Sequence, residues 1–206
     1  MSRNTLLPMN KLTNTLDKIG ESRTLMEKSI IARAQQGDKE AYRELVLTYV
    51  HVVEKFAYQI GVHENDIGDV AQEVFLKLYR FLHQFNDSRF TTWLYKITLN
   101  TARDFYRKEA RETKKEQKLQ QQDAKVAQSA ESRVLVYEED QQLHAAIQLL
   151  KEDYRMPLIL FYFHQLQYDE IAEVLGITLA NVKVRIHRAK EQLKAILVKE
   201  ESAYGR

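Results

Sequence analysis

The stretch that most constrains this chain is residues 168–197, which predict two short helices separated by a sharp turn. In the first helix, Ile171 and Leu175 stand four positions apart and would share one face. Gly176 has the conformational freedom that a tight turn needs, and Thr178 is a suitable N-cap for the helix that follows. The spacing therefore predicts a compact helix–turn–helix unit.

The second helix, residues 178–195, has an apolar face and a cationic face. The apolar positions, spaced four, three and four apart, are Val182, Ile186, Ala189 and Leu193. The other side carries Ala180, Asn181, Lys183, Val184, Arg185, His187 and Arg188. No acidic residue occurs between Thr178 and Lys190. This pattern is typical of a helix-turn-helix that reads DNA, and the alternative is an ordinary helical hairpin with a solvated basic face.

The composition limits the class of protein to which the whole chain can belong. Charged residues make up 29% of the 206 residues, yet the net charge is only +2, so any basic surface must be local. The absence of cysteine excludes disulfides and thiolate metal sites and fits a reducing compartment. The longest apolar run, Met156–Phe163, is too short to span a bilayer, and we expect no signal peptide. The sequence predicts a cytoplasmic, all-α protein of two small helical domains joined by a flexible linker.

Residues 1–23 are interpreted as a poorly ordered N-terminal extension, and residues 24–110 predict a first domain of four antiparallel helices. The first helix has apolar residues at Ile30, Ile31 and Ala34. It stops at Gly37, and Asp38 would cap the second helix. The second helix presents the stripe Ala41, Leu45, Tyr49, Val52, Phe56 and Ile60.

The third predicted helix covers about residues 66–83, and its buried residues are Val70, Val74, Leu78, Phe81 and Leu82. A loop at residues 84–89 contains turn-forming residues. The fourth helix has apolar and aromatic residues at Phe90, Trp93, Leu94, Ile97, Phe105 and Tyr106. Basic residues dotted along the same helix are Lys96, Arg103, Arg107 and Lys108.

Residues 111–137 are rich in Lys, Gln, Glu and Ser and have almost no large apolar residue, so we interpret them as a linker. A continuation of the long fourth helix is the alternative. A second helical domain, residues 138–199, begins with the stripe Leu143, Ala146, Ile147 and Leu150. Asp153 would cap the next helix and place Pro157 in its first turn.

Four segments occur in a specific order along the chain. They are IARAQQGDKEAYRELV from Ile31, DVAQEVFLKLY from Asp69, FTTWLYKITLNTARDFYRK from Phe90, and LKEDYRMPLILFYFHQLQYDEIAEVLGIT followed by VKVRIHRAKEQL from Val182. Together they resemble the extracytoplasmic-function (ECF) group of bacterial sigma factors over about residues 25–198. The resemblance implies a protein that binds core RNA polymerase and directs it to promoters, in response to envelope or other external stress.

In that family the amino-terminal domain reads and melts the minus-ten element, and the helix-turn-helix reads the minus-thirty-five element. The resemblance also implies an anti-sigma partner, often membrane-anchored, and no cofactor or small-molecule substrate. Three positions depart from the usual family pattern: Val184 replaces a small polar residue, Gln167 a serine or threonine, and Gln165 a glycine. The first departure would alter base preference, and the other two put the capping of the preceding helix in doubt.

The cationic face suggests a division of labour within the recognition helix. Arg188 could grip a guanine bidentately, and Val184 could contact a thymine methyl group. His187 lies between them, although a neutral surface imidazole is an even alternative. Residues on the flanks of the face are expected to hold phosphates: Asn181, Lys183 and Arg185.

Basic and aromatic residues interleave at the start of the fourth helix, a combination that suits an opened strand whose bases stack on rings. The candidates for minus-ten binding and melting are Arg89, Trp93, Asn100, Arg103, Tyr106, Arg107 and Lys108. Trp93 alone is more typical of a core residue than of a stacking platform. The family resemblance instead favours the loop at 84–89 as the place where a flipped base is held.

The third helix carries a polar face outside its apolar stripe. The resemblance assigns this DxxQExF segment to docking on the clamp helices of the largest polymerase subunit, through Asp69, Gln72, Glu73, Phe75 and Leu76. Composition alone favours a solvated helix face over a polymerase-binding surface.

Two other classes of function compete with this interpretation. A conventional helix-turn-helix regulator would need a ligand pocket or a dimer seam, and the sequence has no sustained heptad pattern. An enzyme is disfavoured because the six histidines lack metal spacing and no glycine-rich phosphate loop exists. A linker of about 27 residues reaches at most roughly 90 Å and averages near 30 Å as a coil, so one chain can touch two DNA elements and we expect a monomer.

Overall fold

The computed structural model describes residues 25–86, 89–119 and 141–204 of this chain. All regular structure within these ranges is helical, which confirms the predicted all-α class. The N-terminal extension predicted at residues 1–23 lies outside the described residues, as do two residues of the loop at 84–89. The chain divides into two compact units, Met1–Tyr49 and Val50–Arg206.

In the first unit, helix α1 covers residues 25–35 and is followed by the start of α2, Lys39–Ile60. Gly37 ends α1 with a backbone φ of 89°, a left-handed conformation that glycine adopts readily. Asp38 caps α2 as predicted, because its carboxylate accepts hydrogen bonds from the backbone N–H groups of Glu40 at 3.0 Å and Ala41 at 3.1 Å. Arg33 also donates to this carboxylate, at 2.9 Å.

The second unit begins with the last three turns of α2 and continues with α3, Ile67–Phe81, and α4, Phe90–Leu119. Residues 50–119 are called the first module below. Helix α3 packs against α4, and its predicted core residues Val70, Val74 and Leu78 are buried. Short 3₁₀ turns, Glu64–Asp66 and Leu82–Gln84, connect the helices.

Three details of the first module correct the sequence prediction. In α2 the stripe shifts by one residue, so that Val53 is buried while Val52 is only half-buried. Phe81 is exposed because α3 ends there and the chain turns away. Helix α4 continues to Leu119, so the linker predicted from residue 111 begins too early, and the alternative of a continued helix holds for residues 111–119. The rest of the predicted linker lies outside the described residues.

The second module, residues 141–204, contains α5 (Gln141–Gln148), α6 (Glu152–Tyr162), α7 (Tyr168–Leu175) and α8 (Leu179–Tyr204). Helices α5, α6 and α7 all contact α8, and α6 also contacts α7. The core of this module includes Ile147, Leu160 and Ile171.

The start of α6 differs from the prediction. The helix begins at Glu152 with Lys151 as N-cap, so Asp153 lies within the first turn and does not cap the helix. Pro157 consequently falls inside the helix, beyond the first turn, and the carbonyl of Asp153 has no backbone N–H four residues ahead of it. Pro157 is itself buried, together with Met156, Leu158, Ile159 and Leu160.

Candidate nucleic-acid interface

Helices α7 and α8 form the predicted helix-turn-helix. Gly176 ends α7 with a φ of 65°, in the left-handed region, which confirms its role in the turn. The hydroxyl of Thr178 accepts a hydrogen bond from the backbone N–H of Asn181 at 3.3 Å, as expected of the N-cap of α8. In α7 the buried partner of Ile171 is Val174, and Leu175 is only half-buried.

Helix α8 separates an apolar face from a cationic one. Val182, Ile186 and Ala189 are buried, as predicted, while Leu193 is half-buried. The side chains on the opposite face are exposed: Asn181, Lys183, Val184, His187 and Arg188. A surface of this composition on the second helix of a helix-turn-helix is suited to the major groove of duplex DNA.

Arg185 is the exception among the predicted contacts of α8. It is half-buried, and its Nη1 atom donates to Oδ1 of Asp153 at 2.9 Å. The pair ties α8 to the first turn of α6 and offsets the charge of Arg185. In this arrangement Arg185 supports the position of α8 instead of projecting from its exposed face.

The capping of α7 is intact despite two unusual residues. The carboxylate of Glu170 accepts a hydrogen bond from the backbone N–H of Gln167 at 2.7 Å, so the orphan donor at the helix start is satisfied. Gln165, which stands where a glycine is common, has a φ of 54° and is the only non-glycine residue with positive φ among the described residues. The chain therefore keeps the local turn by holding a glutamine in a left-handed conformation.

Residues 89–108, at and after the start of α4, carry a second group of cationic and polar side chains. The exposed members of the predicted set are Arg89, Asn100, Arg103, Arg107 and Lys108. Trp93 is half-buried, with its ring centroid 5.2 Å from that of Phe85 and 6.1 Å from that of Phe90. The hydroxyl of Tyr106 accepts a hydrogen bond from the backbone N–H of His63 at 2.8 Å. Both aromatic side chains are therefore anchored within the first module.

Several cations of this surface are paired. Nη1 of Arg89 lies 2.6 Å from Oε1 of Glu170, and Nη2 of Arg103 lies 2.7 Å from Oε1 of Glu152. Arg107 pairs with Asp104, which also lies 3.3 Å from Nζ of Lys77. The carboxylates on Arg89 and Arg103 come from the second module.

The polar face of α3 is arranged largely as the sequence predicts. Asp69, Gln72, Glu73 and Leu76 are exposed. Phe75 differs from the prediction that it lies on the docking face. Only 9% of its surface is exposed, because it widens the apolar stripe of Ala71, Val74 and Leu78. Tyr79 is 57% exposed and lies one turn beyond Leu76 on the same side of α3. Sequence reasoning missed Tyr79, although its position three residues after Leu76 would have placed it there.

The second module also has an apolar groove that the sequence analysis did not predict. It lies between α5, α6 and α8, and its lining includes Leu143, Tyr162, Leu193 and Val198. Lys190 and Lys194 line it from α8. Leu193 is half-buried, and not fully buried as its spacing predicted, because it lines this groove.

Within the described residues, no group of three or more histidine, aspartate or glutamate side chains is placed to hold a metal ion. The same residues include no helix with the length and hydropathy needed to cross a bilayer.

Comparisons with known proteins agree in both halves of the chain. The family described as Sigma-70 region 2 matches residues 45–112, and the family described as Sigma-70, region 4 matches residues 140–193. The RNA polymerase sigma-H factor of Pseudomonas aeruginosa is 35% identical over 83% of this chain and 93% of its own length. The ECF RNA polymerase sigma-E factor of Escherichia coli K12 is 34% identical over 84% of this chain and 94% of its own length.

Among solved structures, CnrH in complex with the cytosolic domain of CnrY has a TM-score of 0.63 and 26% identity, and covers 84% of this chain and 97% of its own. Two sigma regions in the right order, together with relatives that match nearly their whole length, account for the fold and for the helix-turn-helix at once. The chain belongs to the extracytoplasmic-function group of RNA polymerase sigma factors, which bind core polymerase and direct it to promoters.

Proposed function

We propose that the cationic face of α8 reads the minus-thirty-five element of a promoter while the exposed face of α3 holds core polymerase. The observation that carries this proposal is the polarity of α8. Five exposed side chains that can contact DNA lie opposite the buried Val182, Ile186 and Ala189, and the exposed set has no acidic member.

Within that face, Arg188 and Val184 are the proposed base contacts. A guanidinium presents two parallel donors that match the O6 and N7 acceptors of guanine, and an exposed valine matches the methyl group of thymine. Val184 is 47% exposed, which leaves its side chain available for such contact. Lys183 and Asn181 would hold phosphates, and His187 would contact either a base or a phosphate. The ion pair of Arg185 with Asp153 favours a supporting role for Arg185.

The minus-ten element would be held at the start of α4. Arg89, Asn100, Arg103, Arg107 and Lys108 are exposed cations or amides on this surface. Trp93 and Tyr106 are anchored by packing and by a hydrogen bond, so we propose that they shape the site and that the adjacent loop receives the unpaired base. Electrostatic attraction to the opened strand would come from the cations.

Polymerase would dock on α3 through Asp69, Gln72, Glu73 and Leu76, with Tyr79 as an additional contact. A patch that combines exposed carboxylates with two exposed apolar side chains has the character of a protein interface. Phe75 would contribute through the core that supports this face.

The solved relative bound to a cytosolic domain suggests how the activity is controlled. We propose that this chain acts in the cytoplasm and is held by the cytosolic part of an anti-sigma protein until an external signal releases it. The chain would function as a monomer within the polymerase complex and without catalytic activity of its own.

The experiment that tests the function is run-off transcription with purified core polymerase on a library of candidate promoters. We expect transcripts from a defined subset that share a minus-thirty-five sequence, and loss of that selection with Arg188→Ala. Lys194→Ala, which removes an exposed cation of α8 beyond the residues proposed to contact DNA, serves as the matched control and should leave the selection unchanged. Transcripts that are the same with and without the protein would refute the proposal.

A further inference from the structure

Arg185 differs from the other basic residues that the sequence predicts to contact DNA on α8. Among the described residues, it is the only lysine or arginine of that predicted set that forms an ion pair. Its Nη1 atom donates to Oδ1 of Asp153 at 2.9 Å, and its side chain is 29% exposed. Lys183 and Arg188, by contrast, are exposed. One guanidinium next to the proposed DNA face is therefore already occupied by a carboxylate of the same chain.

The position of Arg185 along α8 brings it close to the residues proposed to meet DNA. Residues three and four apart are neighbours on a helix surface. Arg185 stands four residues after Asn181, a proposed phosphate contact, and three before Arg188, a proposed base contact. An arginine side chain is long, so its charged end can lie well away from its own backbone. Once released from Asp153, Arg185 would reach the DNA backbone along this edge of the helix.

The partner carboxylate comes from another helix and faces solvent. Asp153 lies in the first turn of α6, and its side chain is 71% exposed. Helix α6 packs against α8, so the ion pair bridges two helices of the second module. The exposed residues proposed to contact DNA on α8 include no acid. Asp153 consequently places a negative charge at the edge of a surface that otherwise attracts DNA.

A carboxylate and a DNA phosphate compete for the same guanidinium. Both offer acceptor oxygens that suit the parallel N–H donors of arginine. While Asp153 holds Arg185, the chain makes one contact fewer to the DNA backbone. Contacts of this kind supply a sequence-independent attraction that weakens as the salt concentration rises. The pair therefore lowers the part of the affinity that carries no sequence information.

The half-buried setting of Arg185 favours the ion pair over a phosphate. Partly buried charges are screened by salt less than exposed charges are. The pair with Asp153 is formed before DNA arrives, whereas a phosphate contact would require Arg185 to turn away from α6. Arg185 is thus held back at the moment when α8 meets a duplex of any sequence.

A purely structural tie between α6 and α8 would have the opposite consequence for DNA binding. If the ion pair only held α8 in place, loss of the carboxylate would lower stability and weaken binding. If the pair withholds Arg185, loss of the carboxylate strengthens binding. The sign of the change in affinity therefore separates the two roles.

We propose that Asp153 is a positioning residue that withholds Arg185 from the DNA backbone and so limits the sequence-independent affinity of α8. This inference rests on the proposed function, because it requires α8 to lie on promoter DNA. Asp153 acts through Arg185 and contacts no base. Selectivity among promoters stays with Arg188 and Val184.

The first test replaces the carboxylate by an amide of nearly the same shape, in Asp153→Asn. Binding by the full chain assembled with core polymerase is measured on a duplex that carries the selected minus-thirty-five element and on an unrelated duplex. We expect Asp153→Asn to tighten binding to both duplexes about fivefold. The logarithm of the binding constant should also fall more steeply with the logarithm of salt concentration, by about one unit of slope. Unchanged or weaker binding would overturn the inference.

A double-mutant cycle tests whether Arg185 is the group that is released. Arg185→Gln should weaken binding about five times more in the Asp153→Asn protein than in the parent protein, since only the former has a guanidinium available for phosphate. An effect of Arg185→Gln that is the same in both backgrounds would contradict the proposal, even if Asp153→Asn tightens binding.

Glu191→Gln is the matched control for removal of a carboxylate. Glu191 is exposed on α8 and lies three residues beyond Arg188, outside the proposed DNA contacts. This change measures the general effect of one negative charge fewer near the duplex and should tighten binding less than about twofold. Its effect should not depend on Arg185. A gain as large as that of Asp153→Asn would show that charge alone, and not the release of Arg185, explains the result.

The same measurements distinguish failure of this inference from failure of the proposed function. A parent protein that prefers the selected duplex and loses that preference with Arg188→Ala, but binds no tighter with Asp153→Asn, removes the inference and leaves the function standing. A parent protein that confers no start-site selection and binds both duplexes equally removes the proposed function, and with it the role of Asp153.

Discussion

The hydroxyl of Tyr106 accepts a hydrogen bond from the backbone N–H of His63, 2.8 Å away, and so fastens α4 to the turn between α2 and α3. The sequence placed Tyr106 among the residues that meet DNA. Its observed partner and its partial burial, which raises the pKa of the Tyr106 hydroxyl, indicate that it also holds the first module together.

Removal of this hydroxyl should therefore lower the stability of the protein. We expect Tyr106→Phe to lower the free energy of unfolding by about 1 kcal/mol, because the N–H of His63 loses its partner. Chemical denaturation followed by circular dichroism measures the change. Tyr162→Phe, at an exposed tyrosine of α6, is the control and should have little effect. Equal stability of Tyr106→Phe and the parent protein would contradict the anchoring role.

The N-cap of α2 makes a pH-dependent contribution to stability. Hydrogen bonds from the backbone N–H of Ala41 and from Arg33 hold the pKa of Asp38 below its usual value. Because the folded pKa is below the unfolded pKa of about 3.9, the contribution is complete above that pH and is lost as the pH falls through the folded pKa. Thermal unfolding across this acidic range should show a smaller pH dependence for Asp38→Asn than for the parent protein. Identical pH dependence would contradict the assignment.

Gln165 offers a test of backbone strain. A glutamine with a φ of 54° occupies the left-handed region at a cost that glycine largely avoids. We expect Gln165→Gly to stabilise the protein by about 1 kcal/mol, with thermal or chemical unfolding as the measurement. Gln192→Gly, at an exposed position within α8, is the matched control and should destabilise the protein because glycine weakens a helix interior. Destabilisation by both changes would show that the turn is not strained.

The proposed division of labour on α8 predicts different effects for two cations. Arg188→Ala should cost about 1–3 kcal/mol on the preferred promoter and relax selectivity at one base pair. Lys183→Ala should weaken binding to all promoters similarly and reduce the salt dependence of binding. Promoter binding by the assembled polymerase complex, measured on single-base variants at several salt concentrations, separates the two patterns. Equal losses on every promoter from both changes would refute the division.

The polar face of α3 can be tested by charge reversal. We expect Asp69→Lys combined with Glu73→Lys to weaken binding to core polymerase by about tenfold or more while the melting temperature stays unchanged, since both carboxylates are exposed. Leu76→Ala should likewise reduce binding. Phe75→Ala should instead lower stability by about 3 kcal/mol, because that ring is buried.

Reversal of exposed carboxylates outside α3, by Glu64→Lys and Glu109→Lys, is the control for this experiment. Binding measured by gel filtration with core polymerase should be unaffected. Full binding by the α3 double variant would remove the assignment of that face.

Local signals in the sequence predicted the helix-turn-helix well. Gly176, Thr178 and the buried residues Val182 and Ile186 act within a few residues of one another, so their pattern determines the structure directly. The start of α6 was mispredicted because Asp153 resembles a cap in sequence, whereas in the structure it pairs with Arg185 of α8. That partner is distant in sequence and left no local signal.

The contact between the modules was not predictable for the same reason. The polar residues that form it, such as Gln59, Tyr95 and His164, look like ordinary surface residues in a helical pattern. Gln59 and Tyr95 become buried, and His164 half-buried, only when elements far apart in the chain come together. Phe75 was misplaced for a related reason, since a helical stripe can widen by one residue without any change in its period.

The central claim is that α8 selects the promoter while α3 holds the polymerase. Its most direct test is start-site mapping with core polymerase on two templates that differ only in the minus-thirty-five element. The account predicts initiation at one site on the intact template and its loss on the altered template. Equal initiation from both templates, or no initiation from either template, would contradict it.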